Sequence, residues 1–110
     1  MPTIDKNKKL VTFINVFTVD PAKQKELVDV LTEVTGQHVC HMPGFVSASL
    51  HRSLDGTKVA MYAQWRSLEE YQAMRQNAAA VSSFEQALAL AKFEPGRYEV
   101  VETFEYIPPS

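Results

Sequence analysis

The 110-residue chain has few of the residues that announce specialised chemistry: one cysteine, one tryptophan, three histidines and four glycines. A lone Cys40 closes no internal disulfide, which fits a reducing compartment and leads us to expect a cytoplasmic protein. No apolar run approaches the roughly 20 residues needed to cross a bilayer. Leu10 to Val19 is interrupted by Thr12, Asn15 and Thr18, so the basic start MPTIDKNKK is not followed by a signal-peptide core either. Neither charge sign dominates: eleven basic and thirteen acidic residues are interspersed, and the basic stripe that displaces counterions from nucleic acid is missing. Membrane and nucleic-acid partners are therefore excluded from the reading. With 45% hydrophobic and 22% charged residues, the composition is that of an ordinary globular protein with one thin core.

The pattern along the chain predicts a flexible arm over residues 1–9 and a single domain over 10–107. Leu10 to Val19 reads as a strand, and Asp20-Pro21 as a helix start, with Asp as cap acceptor and Pro at the first helical position. Leu27, Leu31, Val34, His38 and His41 then form one stripe of an amphipathic helix running to about Cys40, stopped by Met42-Pro43-Gly44. Phe45 to Arg52 and Val59 to Arg66 read as strands joined at Asp55-Gly56, a hairpin signal. Ser67-x-x-Glu70 is a capping box for a second helical region. That region carries Leu68, Tyr71 and Met74, breaks near Gln76-Asn77, and resumes over Ser82 to Ala91 with Phe84, Leu88 and Ala91 on one face. Pro95-Gly96 closes it, and Arg97 to Ile107 is the expected last strand, ended by Pro108-Pro109.

The order β-α-β-β-α-β is that of an α+β, ferredoxin-like split βαβ fold, an antiparallel sheet with both helices on one face. Strand alternation puts Phe13, Asn15 and Phe17 on one side and Ile14 and Val16 on the other; Val59, Met61, Ala63 and Trp65 likewise oppose Ala60, Tyr62 and Gln64. Both faces are partly apolar, yet the helices cover only one. A homodimer packed through the open sheet face is the expected way to bury the second.

Asn15 is the anomaly in this pattern, because asparagine is depleted in strands. His38, Cys40 and His41 form HVCH, all zinc-ligand types; at a helix end they point in different directions and no fourth ligand follows at a recognised spacing, so no metal site is expected. An imidazole suits proton abstraction near neutral pH, and His38, His41 and His51 are the candidates for such a base. Cys40 is expected to be a small buried hydrophobe, and Met42, Met61, Met74 and Phe93 to be core on the residue pattern alone.

The stretches VTFINVFTVDP, MPGFVSASLHRSLDGTKVAMYAQW and SLEEYQAM together resemble the antibiotic biosynthesis monooxygenase superfamily, the dimeric α+β barrel proteins, over about residues 10 to 105. Within it the chain is similar to the small cofactor-independent oxygenases that convert anthrone intermediates of aromatic polyketides to quinones. The resemblance implies catalytic roles for Asn15 and Trp65, O₂ as co-substrate, no cofactor, and a flat aromatic substrate. Tyr71, six residues after Trp65, matches a tyrosine of some anthrone oxygenases. Met61 stands where several of them carry a second Asn, and Arg75 where haem-degrading relatives carry an axial His. Phe13, Phe17, Met61, Tyr71, His38 and His51 are the expected substrate-binding residues.

Two other functions use the same residues. A non-catalytic small-molecule-binding dimer needs only the pocket. An isomerase or cyclase acting on an enolisable carbonyl compound needs the same stabilised enolate without O₂.

Overall fold

The computed structural model describes residues 9–109; apart from Lys9, the expected N-terminal arm lies outside them. The first strand, β1 (Val11–Val19), ends at Asp20, whose carboxylate accepts the Ala22 N–H at 2.9 Å and starts a 3₁₀ turn over Pro21–Lys23. Helix α1 (Gln24–Gln37) follows and buries Leu27, Leu31 and Val34, the expected stripe. It stops at Gln37, and Val39–His41 is a 3₁₀ turn. The tighter period turns Val39 into the core and leaves His38, Cys40 and His41 exposed, so the apolar stripe does not extend to the two histidines and Cys40 is not buried.

Strands β2 (Phe45–Arg52) and β3 (Lys58–Trp65) form the expected hairpin. Gly44, at φ +86°, makes the turn into β2, where an added Cβ would lie 2.5 Å from the Glu70 side chain. In the hairpin loop, the Asp55 carboxylate accepts from the Ser53 hydroxyl at 2.8 Å and from the Thr57 N–H and hydroxyl at 3.0 and 2.7 Å. Those bonds, the Thr57 hydroxyl first, lower its pKa to about 2.

Ser67 caps α2 (Leu68–Arg75), accepting the Glu70 N–H at 3.2 Å and donating its hydroxyl to the Glu70 carboxylate at 2.9 Å. Arg66 grips the same carboxylate with two N–H groups, and this pairing is the main cause of Glu70's lowered pKa. The helix breaks at Gln76-Asn77, as the sequence indicates. Asn77, however, caps a new helix at once by accepting the Ala79 and Ala80 N–H groups, so α3 (Ala78–Leu90) begins four residues before Ser82. Its buried positions are Ala80 and Ala87, small enough to let α3 close on α1, while Leu88 is 47% exposed.

The expected last strand is displaced. Strand β4 (Ala91–Glu94) starts directly at the end of α3, and β5 (Arg97–Tyr98) follows Pro95-Gly96. Both pair with β1, which is used up by them: β5 ends opposite Thr12, one residue from the start of β1. Residues 99–109, beyond the reach of β1, have no regular structure.

The sheet is antiparallel in the order β2-β3-β1-β4, with β5 beside β1, and the helices pack on one face. This is the α+β, ferredoxin-like arrangement. The core falls into two clusters, one around Phe17, Leu27 and Val59 and one around Phe13, Ala63 and Trp65. Asn15 lies on β1 between them. No helix among the described residues is long and apolar enough to cross a membrane.

Candidate active site

The interruption between β4 and β5 falls opposite Asn15. Val16 to Val19 pair with β4 and Thr12 and Phe13 with β5, which leaves Ile14 and Asn15 facing Pro95-Gly96. Proline has no N–H to give the ladder. Gly96 supplies both its groups: its carbonyl accepts the Ile14 N–H at 2.9 Å, and its N–H donates to Asn15 Oδ1 at 3.2 Å. Only the oxygen of an amide accepts from an N–H, so this contact fixes which way the amide faces. Asn15 Nδ2 is left as the free end, with no acceptor among the described residues.

Asn15 stands in the wall of a cavity of about 120 Å³ between the sheet and the helices. On one side of Asn15, Phe13 stacks on Tyr71 with centroids 3.7 Å apart, and Trp65 meets Tyr71 and Phe45 edge to face at 5.9 and 5.4 Å. On the other, Phe93 contacts both Phe17 and Phe84, at 4.8 and 5.0 Å. Met61 pairs directly with Asn15 across β1 and β3. The lining is thus aromatic and aliphatic, with few polar groups: the Asn15 amide, the Tyr71 hydroxyl, the Arg75 guanidinium, the Trp65 indole N–H, and the hydroxyls of Thr35 and Ser83. Among the described residues no Asp, Glu or His lines it.

The structure brings Asn15, Trp65, Tyr71, Met61, Phe13 and Phe17 together in this lining. It does not bring the histidines. His51 pairs with Ala60, so it points to the face opposite Leu50 and Met61, where it is exposed and 3.0 Å from the Ser49 hydroxyl. His38 is exposed where α1 gives way to the 3₁₀ turn. The expected pocket roles of His38 and His51, and with them an imidazole base, find no geometric basis. Trp65 is only 1% exposed. It forms part of the wall behind Tyr71 rather than an open stacking platform.

Arg75 was not expected in the site. It closes α2 one turn after Tyr71, donates Nη1–H to the Tyr71 hydroxyl at 3.0 Å, and lays its guanidinium 4.3 Å from the Phe84 ring centroid. The signal in the sequence is the four-residue spacing from Tyr71, which puts both side chains on one helix face. Among the described residues no three His, Cys, Asp or Glu side chains come close enough together to hold a metal ion.

The family model described as antibiotic biosynthesis monooxygenase matches residues 10–86. Tetracenomycin-F1 monooxygenase of Streptomyces glaucescens is 42% identical over 104 residues, covering 94% of this chain and 93% of that protein. Among solved structures, SnoaB from Streptomyces nogalater, a cofactor-independent oxygenase, superposes with a TM-score of 0.71 at 23% identity, over 88% of this chain and 98% of its own. Rv0793 from Mycobacterium tuberculosis superposes with a TM-score of 0.76 at 17% identity, over 88% of this chain and 100% of its own. The interrupted edge strand, the half-buried asparagine and the aromatic cavity therefore belong to a member of the antibiotic biosynthesis monooxygenase family.

Proposed function

We propose that this protein is a cofactor-independent monooxygenase that uses O₂ to oxidise a flat, phenolic, anthrone-type ring system to a quinone. The observation that carries the reading is the Asn15 amide: its oxygen is held by the Gly96 N–H, so its NH₂ is presented as a donor inside an aromatic cavity. The relative named for tetracenomycin F1 supports a polyketide-type substrate, and SnoaB supports chemistry without a cofactor.

An anthrone carries an acidic ring carbon opposite its carbonyl, because loss of that proton makes the central ring aromatic. A fixed N–H aimed at the resulting oxyanion costs no reorganisation during reaction, and a donor of this kind is worth about 3 kcal/mol. Tyr71 accepts a hydrogen bond from Arg75 and so retains its own O–H to donate. Among the described residues no carboxylate or imidazole lines the cavity; in this reading the carbon-bound proton passes to water, and the chain acts by favouring the anion. The anion gives one electron to O₂, and the substrate radical and superoxide join through a new C–O bond. The peroxide takes up a proton and then loses water to leave the second carbonyl. The balance is one CH₂ plus O₂ to one C=O plus H₂O, with every electron drawn from the substrate.

The cavity of about 120 Å³ is smaller than the roughly 300 Å³ of a typical ligand cleft. Entry of a tricyclic ring therefore requires side chains to give way, and the flexible thioethers of Met61 and Met74 in its lining are suited to this. The same reading makes the protein a cytoplasmic homodimer packed through the open sheet face. Val101, Phe104, Tyr106 and Ile107, 80–89% exposed beyond the end of β5, add apolar surface outside the sheet that such a dimer can bury.

The test is O₂ uptake by metal-stripped protein with 1,8-dihydroxyanthrone, corrected for autoxidation, with ¹⁸O₂ to trace the product oxygen. Saturable uptake with one labelled oxygen per quinone is expected. Rates equal to the protein-free control with this and related anthrones would favour a binding protein or an isomerase instead.

A further inference from the structure

Among the described residues Arg75 is the only charged side chain in the cavity lining, and no acidic residue stands beside it there. Among the described residues it has no carboxylate partner; its contacts are the Tyr71 hydroxyl at 3.0 Å and the Phe84 and Tyr71 rings at 4.3 and 5.9 Å. A guanidinium has five N–H donors, and the Tyr71 contact uses one. A cation is favoured at the end of a helix, which accounts for a basic residue at the last position of α2. It does not account for a guanidinium half-buried between two aromatic rings and turned into an apolar cavity. A charge placed there without a counterion is matched by one on the ligand, and the planar fork of Arg fits a carboxylate through two parallel hydrogen bonds.

We infer that Arg75 is a specificity-determining residue that selects ring systems bearing a carboxylate. The inference rests on the oxygenase reading for the shape of the ligand, a flat fused ring with a carbonyl at Asn15, but not for the reaction. Tyr71 links the two ends: its hydroxyl accepts from Arg75 while its ring stacks on Phe13, two residues from Asn15. The carboxylate therefore also sets which edge of the ring faces the Asn15 amide.

The experiment is equilibrium binding, followed by Trp65 fluorescence, of anthraquinone-2-carboxylate, 2-methylanthraquinone and 2-hydroxyanthraquinone to wild type, R75K and R75Q. Wild type is expected to bind the carboxylate at least tenfold more tightly than the methyl compound, with a preference that shrinks as salt is raised. R75Q is expected to bring the ratio within threefold, and R75K to restore part of it. A merely structural role for Arg75 would weaken both ligands together and leave the ratio alone. A wild-type ratio within twofold, a ratio that survives in R75Q, or a preference for the ionised hydroxyl compound over the carboxylate would overturn the inference. O₂ uptake is measured apart from this. Selective binding without oxygen consumption would retain Arg75's role and remove the oxygenase reading, while anthrone oxidation without selectivity would do the reverse.

Discussion

An amide in the middle of a strand costs roughly 1–3 kcal/mol when a buried polar group goes unpaired. Asn15 meets part of that demand within the fold by accepting the Gly96 N–H; in the proposed reaction its NH₂ serves the substrate anion. The two halves can be separated. Asn15→Ala removes both the acceptor for Gly96 and the cavity donor, so the melting temperature is expected to fall along with a loss in kcat/KM on the order of 10²-fold. Asn15→Asp keeps an acceptor for Gly96 but sets a negative charge against the substrate anion; thermal melts close to wild type with an equally large loss in oxygen uptake are expected. His38→Ala and His51→Ala, both outside the cavity, are expected to keep kcat/KM within about twofold of wild type in the same assay. Asp55 offers a test of a purely structural residue. Its carboxyl is held at about 2 in the fold against 3.8 unperturbed, so its contribution to stability is present above pH 4 and is lost as pH falls through 2. Urea melts should show Asp55→Asn less stable than wild type at pH 7, with the gap closing between pH 4 and pH 2.

At the level of elements, local signals with a physical cause were legible and the competition for a sheet edge was not. Asp55-Gly56, Ser67-x-x-Glu70 and the Leu27, Leu31, Val34 stripe each announce a structure formed within a few residues, and each is present. The second half of the chain followed longer-range rules. Asn77 restarted the helix immediately, and β1 took Ala91–Glu94 as its neighbour before Arg97 could supply a long strand. Pro95-Gly96, read as the end of a helical region, is instead the break in the edge that turns a backbone N–H toward Asn15. The Gly44 turn is open to direct test: a side chain there meets positive φ strain and the Glu70 side chain. Gly44→Ala is expected to lower stability by about 1–3 kcal/mol in urea denaturation. A loss within 0.5 kcal/mol would mean that Glu70 and the turn yield at little cost.

For the whole molecule, the sequence made six of the cavity residues legible through the family resemblance and strand alternation: Asn15, Trp65, Tyr71, Met61, Phe13 and Phe17. Arg75 was not, because its part in the cavity comes from the approach of α3, which brings Phe84 under the guanidinium. The two histidines were misplaced because the helix and strand that carry them turn those side chains outward. The chain beyond Tyr98 presents Val101, Phe104, Tyr106 and Ile107 to solvent, apolar side chains that the proposed dimer would cover. Light scattering at micromolar concentration is expected to give a dimer for the full chain and a lower mass for a chain ending after Tyr98. Equal masses for the two would remove the tail from the interface.

If the Asn15 amide favours the substrate anion, the pKa of a bound anthrone registers it directly. Anthrone is titrated anaerobically with and without protein, following the absorbance of its anion. A donor worth about 3 kcal/mol corresponds to roughly two pKa units. Wild type is therefore expected to lower the pKa of the bound ring by more than one unit, and Asn15→Ala to lose most of that shift. An equal shift in Asn15→Ala, or no shift in wild type with the ligand bound, would mean that the Asn15 amide does not stabilise the anion.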